Sequence, residues 1–340
     1  MTQRQTGAAQ IAVTLAAVVL VLAGLQAAKA IVVPFLLATF IAIIGASPMF
    51  WLQRKGLPAW LALLIVILLV LLVGSLMAGL VLSSVRDLSG SLPAYEIKLQ
   101  ELTAMTVAWL QKLGLKVSAP VLTELFDPGA AMKLVSTMLN ALGNVVTNGF
   151  LVLMTVVFML LEASSFPIKL RTILGGDASL GQLDTFVSNV KHYMLIKTLV
   201  SLATGVLVTI LVAMLGVDLP LLWGLLAFAL NYVPNIGSII AGLPAVLLTV
   251  VQLGPLRALL VAAGYVVINL LVGGLLEPRF MGRGLGLSTL VVFLSLLFWG
   301  WLLGPVGMLL SVPLTMTAKI ALDSREDTRW LAVILGAETS

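Results

Sequence analysis

The side chains able to do chemistry are few in this 340-residue chain, and their types exclude more than they suggest. There is no cysteine, which removes disulfides, thiolate nucleophiles, iron–sulfur clusters and Cys-ligated zinc. The single histidine, His192, leaves no two-histidine metal site and little room for a Ser-His nucleophile pair. No Gly-rich phosphate loop, HExxH or GxSxG sequence occurs, so neither ATP coupling nor intramembrane hydrolysis has a visible residue set. The chain is not expected to be an enzyme, and no catalytic residue, metal site or cofactor is expected.

What remains is a small set of amides, carboxylates and backbone breaks inside apolar sequence. Asn140, Asn144 and Asn148 recur at four-residue steps, with Thr155 seven further on, so they share one helix face. Such a stripe either lines a polar path or supplies hydrogen bonds between helices or subunits. Asn269, Gly273 and Glu277 share another face, and Glu277 is placed to pair with Arg279 or Arg283. Glu162, Asp218 and Glu277 are the carboxylates available to a membrane titration site, all near the ends of apolar runs. Two long apolar tracts are interrupted, one at Pro234-Asn235-Ile236-Gly237, ahead of Pro244, and one at Gly304-Pro305-Val306-Gly307, ahead of Pro313. Backbone freed by such breaks is tolerated at membrane depth only where protein or a water-filled cavity surrounds it, so paired breaks point to a transport site. Two kinked helices without substrate contact are the plainer alternative.

These residues are carried by a chain that is 61% apolar, only 10% charged and of mean hydropathy +1.16. An average soluble domain is roughly 25% charged, and a soluble globule this apolar would leave large greasy patches in water. The composition instead predicts an all-α polytopic membrane protein. The N-terminus imitates a secretory signal, with Arg4, an apolar run from Ile11 to Gly24 and Ala28-Lys29-Ala30. However, Ala8–Ala28 is long enough to span, and Ile31–Phe50 follows at once. Leu57–Leu82 completes an N-terminal three-span unit, 1–82. The segment 83–140 is the one sizeable extramembrane region, with balanced charges and an amphipathic helix expected over Tyr95–Leu113. Asp127-Pro128 reads as an N-cap and first-turn proline opening a helix that runs to Leu161. A transport core, 141–340, holds spans Leu195–Gly216 and Leu259–Leu276 and the broken tracts 219–252 and 285–320.

The net charge of +5 is better explained by topology than by nucleic-acid binding, because the basic residues sit between apolar runs. With both broken tracts folded as hairpins, Arg4, Arg54, Lys55, Lys169, Arg171, Lys191, Lys197, Arg279, Arg283, Lys319, Arg325 and Arg329 fall on one side. The positive-inside rule makes that side, and both termini, cytoplasmic. Treating the tracts as single kinked passes weakens the bias. His192 reads as an interfacial anchor, and Trp51, Trp60, Trp223, Trp299 and Trp301 as interfacial belt residues. Gly300-x-x-x-Gly304 is a small-residue packing signal.

The stretch Leu276-Glu277-Pro278-Arg279-Phe280-Met281-Gly282-Arg283-Gly284-Leu285-Gly286-Leu287-Ser288, continued by FLSLLFWGWLLGPVGMLLSVPLT to Thr315, resembles the signature of the autoinducer-2 exporter family. Asn231-Tyr232-Val233-Pro234-Asn235-Ile236-Gly237 with Pro244 resembles its other motif. The likeness covers nearly the whole chain and is strongest to members described as quorum-signal exporters. It implies a multi-pass bacterial inner-membrane protein of about eight spans, homo-oligomeric with a pentamer as one option, moving small solutes across the lipid bilayer. It leaves the solute open, since members are assigned to autoinducer-2 export, to sodium or lithium/proton exchange, or to nothing. Gly274 stands where many members carry Asn and Val272 where a number carry Glu, which weakens an ion-coupling reading.

Three functions follow. The first is export of a small polar metabolite, autoinducer-2 foremost, which is hydroxyl-rich and either uncharged or borate-bound. Its path is expected between the two broken tracts, along Asn231, Pro234, Asn235, Gly237, Asn269, Gly304, Pro305 and Gly307. Spans with few titratable groups favour such a solute. The second is cation/proton antiport through Glu277, and the third a membrane scaffold assembled by the Tyr95–Leu113 segment.

Overall fold

The computed structural model describes residues 2–112, 137, 149–163, 177–234, 236–281, 287–323 and 326–336. The expected helix start at Asp127-Pro128 and the amide stripe Asn140, Asn144 and Asn148 lie outside these residues, as do Asn235 and Arg283. The described chain is helical throughout, with no strand among its described residues. In order it forms α1 (Thr2–Ala27), α2 (Lys29–Arg54), α3 (Ala59–Lys112), α4 (Gly149–Glu162) and α5 (Asp177–Met214). There follow α6 (Pro220–Leu230), α7 (Gly237–Leu253) and α8 (Pro255–Ile268), which continues through a π-helical segment, Asn269–Leu276, into α9 (Glu277–Met281). The chain closes with α10 (Thr289–Leu303), α11 (Pro305–Leu309), α12 (Ser311–Asp323) and α13 (Arg329–Leu335).

Among the described residues, four helical stretches are long and apolar enough to cross a membrane: Lys29–Arg54, Ala59–Leu88, Ser188–Met214 and Pro255–Phe280. Their outward residues are what lipid requires: Leu199, Leu202 and Ile210 on α5 and Leu259, Val266 and Val267 on α8 are all exposed. The protein is thus an all-α polytopic membrane protein. α3 runs without a break past Ser83, where the charged composition begins. At 1.5 Å per residue its 54 residues extend ~81 Å, far beyond a bilayer core of about 30 Å, so the amphipathic Tyr95 region is the projecting end of a spanning helix.

The helices group into two compact units. The first contains residues 1–55, 151–191 and 285–340, and therefore α1, α2, most of α4, the start of α5 and α10 to α13. Here α10 is capped by the Ser288 hydroxyl, which accepts the Val291 N–H at 3.3 Å. The chain then turns at Gly304 (φ +74°) into Pro305 and doubles back, so that the Trp299 indole donates to Thr315 Oγ1 at 2.9 Å across the turn. A Cβ on Gly307 would stand 2.0 Å from the Trp299 carbonyl oxygen, so the turn closes only around glycine there. Gly300 packs against Met308, which gives the Gly300-x-x-x-Gly304 signal a contact within this chain.

The second unit contains residues 56–150 and 192–284, with α3, the rest of α5, and α6 to α9. Its core joins Val208 and Val212 of α5 to Leu222, Trp223 and Leu226 of α6, Ala241, Ala245 and Leu248 of α7, and Val261 of α8. The tract 219–252 is a hairpin too. Its ends meet, since the Asp218 N–H donates to Gln252 Oε1 at 3.2 Å and the Gln252 amide donates to Asp218 Oδ2. α6 has 11 residues and extends only ~16 Å, so the hairpin enters a bilayer core without crossing it on that arm. α6 lies hard against α5 because both offer glycine: a Cβ on Gly205 would meet the Gly224 carbonyl oxygen at 2.8 Å. Both interrupted tracts are therefore hairpins, not kinked single passes.

Two tryptophans depart from the belt expectation. Trp223 is buried, with its indole donating to the Asp218 carbonyl at 2.8 Å, and Trp299 serves the second hairpin. Trp51, Trp60 and Trp301 are exposed, as interfacial residues should be.

Candidate functional site

α5 carries a polar stripe in the middle of a spanning helix: Lys197, Thr198, Ser201 and Thr204 recur at helical steps, and Lys197, Ser201 and Thr204 are buried. The turn of the first hairpin faces this stripe. Asn231, at the C-terminal end of α6 and buried, donates from Nδ2 to Ser201 Oγ at 3.0 Å. Its neighbour Tyr232 donates its hydroxyl to Thr198 Oγ1 at 2.7 Å, and the ring is fixed edge-on by Phe228. One position along α5, the Lys197 ammonium donates to Glu277 Oε1 at 2.5 Å. The two side chains are 4% and 18% exposed, so this is an ion pair held out of water. Tyr193, buried one turn before Lys197, lies within electrostatic reach of both Glu277 and Tyr232.

Depth follows from helix geometry. Ser201 lies 13 residues before Met214, where α5 ends beside the hairpin base, so the Asn231–Ser201 bond is ~20 Å from that base and Lys197 about one turn deeper. Glu277 is delivered there by α8 through the π-helical segment, whose Val272 packs on Ile196 and Val200 of α5. A π segment widens a helix locally, and such segments are frequent at functional sites. The turn itself depends on Gly237, where a Cβ would stand 1.8 Å from the Leu230 carbonyl oxygen.

The cluster brings together a cation, a carboxylate, an amide and hydroxyls, with formal charges that sum to zero. It can exchange hydrogen bonds with a polar solute: the Asn231–Ser201, Tyr232–Thr198 and Lys197–Glu277 bonds join side chains and can be replaced, while Thr198 and Thr204 also donate to the Met194 and Val200 carbonyls of their own helix. No group of His, Asp or Glu suited to a metal ion occurs among the described residues.

Of the residues expected to line a path, Asn231 sits in the cluster, Pro234 forms the turn beyond it with its carbonyl accepting the Ile236 N–H at 2.7 Å, and Gly237 closes it. Asn269 opens the π-helical segment, half-buried, with its side-chain oxygen lying over Gly273. Gly304, Pro305 and Gly307 shape the second hairpin in the other unit. Glu277 does not pair with Arg279, which is exposed. Its partner is Lys197, because a carboxylate inside a span is matched by the charge buried opposite it and not by one facing solvent. The spans are therefore not free of titratable groups. Lys197, read from sequence as part of a cytoplasmic stretch, is inside one.

Sequence reasoning missed Lys197, Thr198, Ser201, Tyr232 and Tyr193. The signal was present: Lys197 and Ser201 are one turn apart, with Thr204 and Gly205 the next turn on, in a segment otherwise apolar. An intramembrane lysine sharing a face with small polar residues is itself a pointer to function.

A second polar cluster closes the hairpin base. The Tyr95 hydroxyl donates to Asp218 Oδ2 at 2.9 Å and accepts from Gln252 Nε2 at 2.8 Å, while Lys98 donates to the Gln252 carbonyl at 2.8 Å. Partial burial raises the Tyr95 pKa above the ordinary phenol value; the Gln252 bond opposes this and the Asp218 carboxylate adds to it. Tyr95 thus remains a donor, tying the projecting end of α3 to the hairpin.

The pattern of the AI-2E family transporter matches residues 15–326. Among similar proteins, the AI-2 transport protein TqsA of Escherichia coli K12 is 43% identical over 96% of this chain and 95% of its own length. A putative transport protein of Haemophilus influenzae is 43% identical over 95% of this chain and 94% of its own. The putative transport protein YhhT of Escherichia coli K12 is 38% identical over 95% and 93%. A match over nearly the whole length, on a fold of spanning helices and re-entrant hairpins, makes this chain a member of the AI-2E transporter family, a membrane transport protein and not an enzyme.

Proposed function

We propose that the protein exports a small polar metabolite through the turn of its first hairpin, and that autoinducer-2 is the solute. The observation that carries this reading is the buried cluster of Asn231–Ser201, Tyr232–Thr198 and Lys197–Glu277, ~20–25 Å along the spanning helix α5 from the hairpin base and beside a break in the backbone. The likeness to TqsA, an AI-2 transport protein, supports the choice of solute. The bacterial relatives favour the inner membrane, the arrangement of basic residues favours cytoplasmic termini, and we extend the proposal to a homo-oligomer. The test is solute efflux from proteoliposomes. Asn231→Leu should lower autoinducer-2 flux by about tenfold, equivalent to losing roughly 1.4 kcal/mol of solute stabilisation. Flux equal to wild type would refute the site, and no flux in wild type would refute the solute.

Cation/proton antiport is the second reading, and the Lys197–Glu277 pair favours it more than the sequence did, because it sets a titratable carboxylate inside a span. A sodium or lithium jump on vesicles carrying an internal pH dye distinguishes it: proton movement without any organic solute is expected of an antiporter alone.

A further inference from the structure

Resting on the reading that solute passes at the first hairpin turn, we propose that this site takes its solute as a hydroxylated monoanion, held by the Lys197 ammonium, together with one proton carried on Glu277. A site for a neutral polyol needs no buried lysine. Hydroxyls and amides serve it, and Ser201, Thr198, Tyr232 and Asn231 already supply them. Keeping an ammonium inside a span is costly unless it is paired, so an intramembrane lysine argues for a charge that it must meet. In the structure that charge is Glu277, at 2.5 Å.

The remaining groups around the pair constrain what can happen to it. Tyr193 of α5 lies within electrostatic reach of Glu277 and of Tyr232, whose own hydroxyl is taken up by Thr198, and Arg279, two residues past Glu277, is exposed. Apart from the pair itself, none of these described neighbours carries a charge that can compensate an added one. An anion that takes Lys197 from Glu277 would leave the carboxylate buried and unpaired, with a net charge of minus one in a desolvated site. Neutrality is restored when Glu277 Oε1 or Oε2 binds a proton from water as the anion arrives. The occupied site then holds ammonium, anion and neutral carboxyl. On release the anion leaves, the carboxyl returns its proton to water, and the Lys197–Glu277 pair re-forms. No covalent bond to the solute is made or broken. The hydroxyl and amide groups lie within one turn of Lys197, a span of about 5.4 Å, which suits a compact anion carrying its own hydroxyls.

The experiment uses the full-length protein in proteoliposomes, with autoinducer-2 prepared without borate, as the neutral form, and with excess borate, as the singly charged ester. Solute efflux, internal pH and membrane current are read together. The expected result is one proton moved with each borate ester, no net current, and no proton movement with the borate-free form. The charge-free double variant K197Q/E277Q, which avoids leaving either charge unpaired, should abolish the proton movement and lower borate-ester flux about tenfold or more. Flux of the ester without protons, flux of the ester as a net negative current, or equal proton movement with both forms would overturn the inference while leaving the transport site standing. Absence of flux in either form would overturn both.

Discussion

The two interrupted tracts use the same backbone device in different surroundings. In each, a helix ends, the chain turns, and the next helix starts on a glycine or proline so tightly that a Cβ on Gly237 or Gly307 would stand 1.8 Å or 2.0 Å from a carbonyl oxygen of the helix before. At the second hairpin the space beside the turn is filled by Met308 against Gly300, and the Trp299–Thr315 bond joins the arms. At the first, the space is occupied by the polar stripe of α5 and by Glu277. A break in a membrane helix therefore marks where backbone is freed, and the neighbouring helix decides whether that place becomes a site.

The largest effect that tests this contrast comes from the ion pair. Glu277→Leu alone strands the Lys197 charge and should destabilise the protein by about 3–5 kcal/mol, seen as a lower unfolding temperature in detergent. Lys197→Met with Glu277→Leu should recover most of that stability but not transport. A double variant with full transport would show the pair to be structural only.

Gly237→Ala and Gly307→Ala come next. Each forces a methyl group into a backbone contact and should lower stability by roughly 1–3 kcal/mol or more. The two should resemble each other in unfolding temperature and differ in flux at temperatures where both remain folded, with Gly237→Ala the more impaired. Equal flux loss would erase the functional difference between the hairpins.

The smallest effect is at the hairpin base. Tyr95→Phe removes one donor to Asp218 and should cost about 0.5–1.5 kcal/mol. Because the folded-state pKa of Tyr95 is raised, its contribution is fully present below the ordinary phenol value of about 10 and is lost as pH rises through the higher folded value. Unfolding measured at alkaline pH should show wild type converging on Tyr95→Phe, and parallel curves would remove Tyr95 from the clasp.

Much of the fold could be read from the residues. Apolar run lengths identified the spans at α2, α5 and α8, and the breaks at Pro234–Gly237 and Gly304-Pro305 located both hairpins within a few residues. The site was half visible. Asn231 and Glu277 stand out because a lone amide or carboxylate beside an apolar run is conspicuous. Their partners did not, because hydropathy counts residues along the chain, while Lys197 and Ser201 become significant only when α5 is laid against a hairpin 30 residues away in sequence. Local spacing also assigned Glu277 to Arg279, the nearest opposite charge in sequence, although burial excludes it. The continuity of α3 through Ser83 was hidden for a similar reason: a change from apolar to charged composition looks like a boundary even when the helix backbone does not notice it.

The most direct test of the claim that solute passes at the first hairpin uses the absence of native cysteine. Ser201→Cys and Thr315→Cys each place one thiol at a buried position, in the first and second hairpin regions respectively. A small water-soluble thiol reagent applied to membranes should modify Ser201→Cys, more slowly when autoinducer-2 is present, and leave Thr315→Cys unmodified. Modification of Thr315→Cys with solute protection, alongside an inert Ser201→Cys, would contradict the account.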